Sequence, residues 1–142
     1  MQITHVFFDF DGVFTDNRVY VNERGEELIC SSRFEGFGLK QLKKSGVRVA
    51  ILSTERNIVA SKRAEKLDID IYLGLEDKVE KAKDILERDS SSLSRAAFLG
   101  NDINDIPLLQ LVALPAVVAD SWFDVFPYAR YVTRRAGGNG AV

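Results

Sequence analysis

The stretch Phe7-Phe8-Asp9-Phe10-Asp11-Gly12-Val13-Phe14-Thr15-Asp16 organises the chain: the apolar run Val6 to Phe8 leads into two carboxylates at alternate positions and then a glycine. That pattern predicts a buried strand that delivers both acids to its carboxyl end and turns away sharply. Residues i and i+2 share a strand face, so Asp9 and Asp11 are placed to address one substrate or one cation together. Gly12 leaves backbone amides open to an anion. A solvated turn is the plain structural alternative. A helix-loop-helix calcium site fits badly, because its fifth position is Val13, its glycine stands at the fourth position instead of the sixth, and its twelfth is Tyr20.

At 142 residues, the sequence is the length of one domain, 1–142, large enough to bury about two thirds of its unfolded surface. Nineteen basic and twenty-one acidic residues give a net charge of −2, so no global field favours nucleic acid or an anionic membrane. The single cysteine, Cys30, excludes an internal disulfide framework and is expected as a small buried apolar residue, since no histidine lies near it in sequence. No apolar run approaches the ~20 residues of a membrane span, and the amino terminus lacks a basic region followed by an apolar one. A cytoplasmic protein is expected.

After the opening strand, two short β-prone runs within Arg18 to Ser31 flank a polar tetrad ending in Gly25, which predicts a β-hairpin. An isolated hairpin is marginal in water, so it is expected to pack on something, including another subunit. A short helix follows, from about Phe34 to a glycine stop at Gly46. Val47 to Ser53 reads as a strand, Arg56 to Leu67 as a helix with Lys62, Arg63 and Lys66 on a basic face, and Ile69 to Gly74 as a short strand. A helix is expected over Lys78 to Arg88, then a strand at Ala96 to Gly100 and a helix from Pro107 to about Val112. A strand at Ala116 to Ala119 and a short helix at Trp122 to Ala129 complete the pattern. Strand and helix alternate throughout, so the fold expected is α/β: a Rossmann-like, doubly wound parallel sheet with a hairpin after the first strand and no separate cap domain.

In such a sheet the strand ends converge on one crevice. They bring together Asp9 and Asp11, Ser53 and Thr54, and Asn101, Asp102 and Asp105, with Lys78 following a fourth strand to the same edge. This set suits phosphate chemistry. A carboxylate attacks phosphorus, a divalent cation offsets the repulsion between two anions, and hydroxyls and an ammonium hold the phosphoryl oxygens. Ser53 as a helix cap, Lys78 as a solvated charge and Asp105 as a first-turn dipole partner are the structural alternatives.

Asp9-x-Asp11-Gly12-Val13-x-Thr15-Asp16, Ser53, Lys78 and Gly100-Asn101-Asp102-x-x-Asp105 resemble, in order, the four motifs of the haloacid dehalogenase superfamily. Glu35-Gly36-Phe37-Gly38, Tyr131-Val132-Thr133-Arg134 and Gly137-Gly138-Asn139-Gly140-Ala141-Val142 are similar to segments of its capless branch acting on 2-keto-3-deoxy sugar acid phosphates. That branch holds the 3-deoxy-D-manno-octulosonate 8-phosphate phosphatases, their nine-carbon relatives and a domain appended to some sialic acid cytidylyltransferases. The resemblance implies Asp9 as nucleophile and Asp11 as acid and base. It implies phosphate binding by Gly12, Ser53, Thr54 and Lys78, and Mg²⁺ held by Asp9, Asp11, Asn101 and Asp102 with Asp105 in support. It also implies a homotetramer built through the hairpin Arg18 to Ser31. Many members carry aspartate where this chain has Asn101, a neutral ligand expected to soften metal affinity.

Where octulosonate phosphatases usually have glycine and then arginine, this chain reads Ser53-Thr54-Glu55. Glu55 with Arg63 and Lys66 is similar to the nine-carbon branch, which implies a substrate-binding set for a nonulosonate 9-phosphate. A solvated basic face is the alternative for Arg63 and Lys66. Two further classes remain open at this point: a non-catalytic assembly module, which intact Asp9, Asp11 and Lys78 argue against, and a phosphotransferase or mutase, which usually carries a cap inserted where the connections here are short.

Overall fold

The computed structural model describes residues 2–142. Six strands form one parallel sheet in the order β5-β4-β1-β6-β7-β8, where β1 is His5–Phe8, β4 Arg48–Leu52, β5 Asp70–Tyr72, β6 Ala96–Gly100, β7 Leu114–Val117 and β8 Tyr131–Val132. The α/β doubly wound architecture expected from the alternation is the one observed. From β1 the chain steps outward through β4 to β5, then returns to the other side of β1 and steps outward again through β6, β7 and β8. The order therefore reverses between β1 and β6, and a crevice opens at their carboxyl ends.

Strand periodicity divides the sheet into two cores. On one face Phe7, Ala50, Leu52 and Phe98 meet Ala82, Ile85 and Leu86 of α3 (Lys78–Arg88) and Leu108 and Leu109 of α4 (Ile106–Leu109). On the other, Phe8, Val49, Ile51 and Leu99 meet Leu39 of α1 (Glu35–Lys44) and Ala60 and Ala64 of α2 (Ile58–Leu67). Alternate residues of β1, β4 and β6 thus feed opposite layers, as a sheet covered on both faces requires.

The hairpin comprises β2 (Thr15–Val21) and β3 (Glu27–Ser31), an antiparallel pair separate from the main sheet. It begins three residues earlier than the expected Arg18. Its outward side chains lie outside both cores, so Cys30 is exposed and not buried as expected.

Several bounds differ from expectation for local reasons. Asn57, whose Oδ1 accepts the Val59 N–H at 2.8 Å, caps α2 and delays its start to Ile58. Two short turns of helix, Ile103–Asp105 in 3₁₀ form and then α4, replace the expected helix from Pro107, with Pro107 in the first turn of α4 where its missing N–H costs little. The segment Phe123–Tyr128 is 3₁₀ helix and contains Pro127, which bars a regular α ladder. The strand expected at Ala116 to Ala119 lies instead at Leu114–Val117, and β8, a two-residue strand, carries too little periodicity to be read in advance.

Candidate active site

Asp9 follows the last residue of β1, and its N–H still donates to the Leu99 carbonyl at 2.9 Å, so the central strand fixes it in place. Its carboxylate is buried, and Oδ1 accepts from Lys78 Nζ at 2.6 Å. The same ammonium donates to Asp105 Oδ1, also at 2.6 Å. Lys78 is the first residue of α3, whose start is fixed by Asp77 accepting the Val79 and Glu80 N–H groups at 2.7 and 3.1 Å. Asp105 uses its other oxygen to accept the Asn101 and Asp102 N–H groups at 2.8 and 3.2 Å, which binds the loop after β6 into the same network. Two buried carboxylates thus share one buried ammonium.

The electrostatics follow from that count. Burial, then the Asp105 charge, push Asp9 up to about 7 against the lowering pull of Lys78. Burial alone would lower Lys78, but the Asp9 and Asp105 carboxylates outweigh it and hold the ammonium above its ordinary value. Asp11 is half-buried, and burial followed by the Glu55 charge raises its carboxyl above the usual range. A carboxyl raised in this way keeps its proton to a higher pH than an ordinary carboxylate, which suits it to pass that proton to a leaving group.

Gly12 has φ +84°, and a side chain there would place a Cβ 2.0 Å from Asn101 Nδ2. Only glycine allows the loop after β1 to lie this close to the loop after β6. Ser53 is buried, and its Oγ accepts the Glu55 N–H at 3.2 Å, while the capping of α2 falls to Asn57 and not to Ser53. Thr54 is exposed, and its Oγ1 accepts from Asn104 Nδ2 at 3.4 Å, an additional link between the loops after β4 and β6. Asp102 is exposed, with Oδ1 accepting the Ile103 N–H at 2.7 Å.

Glu55 is exposed and lines a cleft of about 280 Å³ together with Asp11, Asn17, Arg18 and Glu27. Arg63 does not join it within the chain. Its guanidinium donates to the Ser32 carbonyl and lies 3.8 Å from Glu35 Oε2, because the fully buried Glu35 carboxylate draws the nearest cation. Lys66 lies exposed on α2. Of the expected substrate set, then, only Glu55 reaches the mouth from its own chain. Asn17, which no motif singled out, lines the same cleft; its glycine-like backbone, φ +62°, is the mark that a sequence does not display.

The oxygens available to a cation are of mixed type. Among the described residues no group of three or more His, Cys, Asp or Glu side chains converges as a ready cluster. Yet Asn101 Oδ1 is a buried acceptor with no hydrogen-bond partner, beside a site with one more carboxylate than ammonium. A hard divalent cation satisfies the orphaned oxygen and the surplus negative charge together.

A doubly wound sheet that places an Asp-x-Asp pair at its point of reversal, with a buried lysine on the first acid, defines a hydrolase built for phosphoryl groups. No family model matches the chain. The 3-deoxy-D-manno-octulosonate 8-phosphate phosphatase of Escherichia coli K12 is 34% identical over 142 residues, covering 99% of this chain and 76% of that protein. The crystal structure of the Yersinia pestis 3-deoxy-D-manno-octulosonate 8-phosphate phosphatase superposes with a TM-score of 0.92 at 34% identity, over 98% of this chain and 76% of that one. That of the Moraxella catarrhalis phosphatase, in complex with magnesium, phosphate and a KDO molecule, superposes with a TM-score of 0.93 at 28% identity, over 99% and 81%. The chain belongs to the haloacid dehalogenase superfamily, in the branch of the 3-deoxy-D-manno-octulosonate 8-phosphate phosphatases, and is a phosphatase.

Proposed function

We propose that the protein hydrolyses the phosphate monoester of a 2-keto-3-deoxy sugar acid through an aspartyl phosphate on Asp9. The observation that carries this is the buried Asp9–Lys78–Asp105 network at the point of sheet reversal, with Asp11 raised and facing the open cleft. Asp9 attacks phosphorus and the bond to the leaving oxygen breaks. Asp11 gives its proton to that oxygen as it departs, and then, as carboxylate, takes a proton from the water that attacks the aspartyl phosphate. Inorganic phosphate leaves and Asp9 is restored. Lys78 and the Ser53 and Thr54 hydroxyls hold the phosphoryl oxygens; the Gly12 N–H, expected to be open to an anion, is instead given to Thr15 Oγ1 at 3.0 Å, so Gly12 serves by its close approach to Asn101. Mg²⁺, bound by the Asp9 carboxylate, the Asp11 carbonyl and Asn101 Oδ1 with Asp102 beside them, supplies charge neutralisation between the anionic nucleophile and the anionic phosphate.

The relatives support 3-deoxy-D-manno-octulosonate 8-phosphate as the first substrate to try. Glu55 favours a second reading, a nine-carbon nonulosonate 9-phosphate, because its carboxylate stands beside Asp11 and accepts hydrogen bonds from a longer polyol. In either case the exposed hairpin is taken to join four copies and to cover a neighbour's site in place of a cap.

The test is phosphate release from both sugar acid phosphates and from an aryl phosphate, in Mg²⁺ and in EDTA, with Asp9→Asn alongside. We expect turnover of a sugar acid phosphate that disappears in EDTA and in the folded variant. Preference for the eight-carbon ester removes the Glu55 reading alone. Absence of any turnover dependent on Asp9 would refute the proposal and leave an assembly module.

A further inference from the structure

We infer that Asn17 is a specificity-determining residue that holds a hydroxyl of the leaving alcohol through its side-chain amide. This rests on the phosphatase reading above and names the residue that recognises the alcohol.

The pairing of β2 with β3 is in register at Thr15 with Ser31 and again at Val19 with Ile29, so the ladder is interrupted between them by an irregularity. Asn17 sits in that interruption with φ +62°, a left-handed backbone that glycine adopts freely and a residue with a side chain adopts at a cost. Its N–H donates to Thr15 Oγ1 at 3.2 Å, and the same hydroxyl accepts the Gly12 N–H at 3.0 Å. The strained residue is therefore tied to the loop that carries Asp9 and Asp11. Interruptions of this kind re-aim a side chain beside a site. A strained backbone that keeps its side chain points to a task for that side chain.

The surroundings define the task. Asn17 borders the cleft that holds Asp11, Glu27 and Glu55, and also a second cleft of about 300 Å³ shared with Gly12, Asn101 and Trp122. Attack by Asp9 expels the leaving oxygen on the side of the proton donor, Asp11, and so into the first cleft. As carboxylates Glu27 and Glu55 only accept hydrogen bonds, and the proton of Asp11 goes to the leaving oxygen itself. A hydroxyl that donates to either glutamate still needs a donor for its own lone pairs. Arg18 and Asn57 line the cleft as well and can donate, but the Asn17 amide is the neutral donor and acceptor whose backbone is tied through Thr15 Oγ1 to the loop that carries Asp9 and Asp11. The Asn17 amide fits a polyhydroxylated alcohol, to which it gives a hydrogen bond that an aryl group cannot use.

Asn17→Gly tests this, since glycine relieves the backbone and removes only the amide. The quantity read is the ratio of kcat/KM for 3-deoxy-D-manno-octulosonate 8-phosphate to that for a nitrophenyl phosphate, with thermal unfolding measured alongside. We expect a melting temperature no lower than the parent's and a ratio lower by about tenfold, expressed mainly in KM. Asn17→Asp, which keeps the backbone but replaces the donor with a further carboxylate, lowers the same ratio. An unchanged ratio in Asn17→Gly overturns the inference. Should the octulosonate ester not be turned over while a hexose 6-phosphate is, the proposed substrate fails and the ratio is read on the hexose ester. No preference by the parent protein for any polyhydroxylated ester overturns the inference as well.

Discussion

At the scale of single residues the site is an unbalanced charge set. Two buried carboxylates, Asp9 and Asp105, lie 2.6 Å from one ammonium, and burial with the Asp105 charge raises Asp9 to about 7. A raised carboxyl in the folded state means that ionising it opposes folding. The metal-free protein therefore loses stability as pH rises from the ordinary value of 3.8 to about 7, and Asp9→Asn lacks this slope. The two partners of the ion pair are not equivalent. Asp9→Asn leaves a balanced Lys78–Asp105 pair, so the urea midpoint in EDTA at pH 8 is expected to stay level or rise. Lys78→Met leaves two carboxylates facing each other without a cation, and is expected to lose about 3–5 kcal/mol. Equal urea midpoints for Lys78→Met and the parent would show that the network does not carry buried charge. Asp105 is readable from sequence as a member of the strand-end set and, by resemblance, as support for the metal, but nothing in its spacing announces that it shares a lysine 27 positions away.

At the scale of elements, the strand that delivers Asp9 is anchored at its other end. His5 Nε2 is paired with Asp89 Oδ2 at 2.8 Å, Arg48 pairs with the other oxygen of Asp89, and Thr4 Oγ1 lies 2.9 Å from His5 Nδ1. The amino ends of β1 and β4 are thereby tied to the residue that ends α3. The His5 hydrogen bond, then Arg48, hold Asp89 below its ordinary value. A depressed carboxyl stabilises the fold above the unfolded value of 3.8, and that stabilisation is lost as pH falls below it. Asp89→Asn should lower the urea midpoint at pH 7, with the gap to the parent closing below pH 3.8. A gap that persists undiminished at pH 3 would assign the loss to packing and not to charge. Elements are legible in sequence where period and punctuation agree. β1, β4, β6 and α3 have clear apolar spacing and clear stops, and so does the alternation that sets the doubly wound sheet. What escapes is decided by contacts distant in sequence. β8 exists because β7 offers it an edge, Arg63 turns to Glu35 because that acid is buried, and Cys30 is exposed because β3 turns the neighbouring Ile29, and not Cys30, toward the core.

At the scale of the whole molecule the hairpin is the feature a single chain does not complete. β2 and β3 pair only with each other among the described residues, and Val19, Tyr20, Val21 and Leu28 are each more than half exposed. A two-stranded ribbon is marginal in water on its own, and a patch of this kind on a soluble chain marks a surface that something covers. The hairpin also begins at Thr15, directly after the loop holding Asp11, and Asn17, Arg18, Val19 and Glu27 form one wall of the cleft. Whatever packs on the hairpin therefore lies over the mouth of the site. A phosphoryl site open to bulk water weakens its own electrostatics, so covering the mouth strengthens the chemistry as well as the fold. A second copy of the chain is the simplest occupant, since the exposed Val19, Tyr20, Val21 and Leu28 offer one hairpin an apolar surface that matches the same residues of another. Sedimentation of the parent protein at micromolar concentration should give a mass several times that of one chain. Val19→Lys with Leu28→Lys, which places like charges on neighbouring ribbons, should shift that mass toward the monomer and lower kcat/KM in step. A parent protein that sediments as a monomer and still turns over sugar acid phosphate would mean that the cleft is closed from within the chain, and the hairpin would then need another partner.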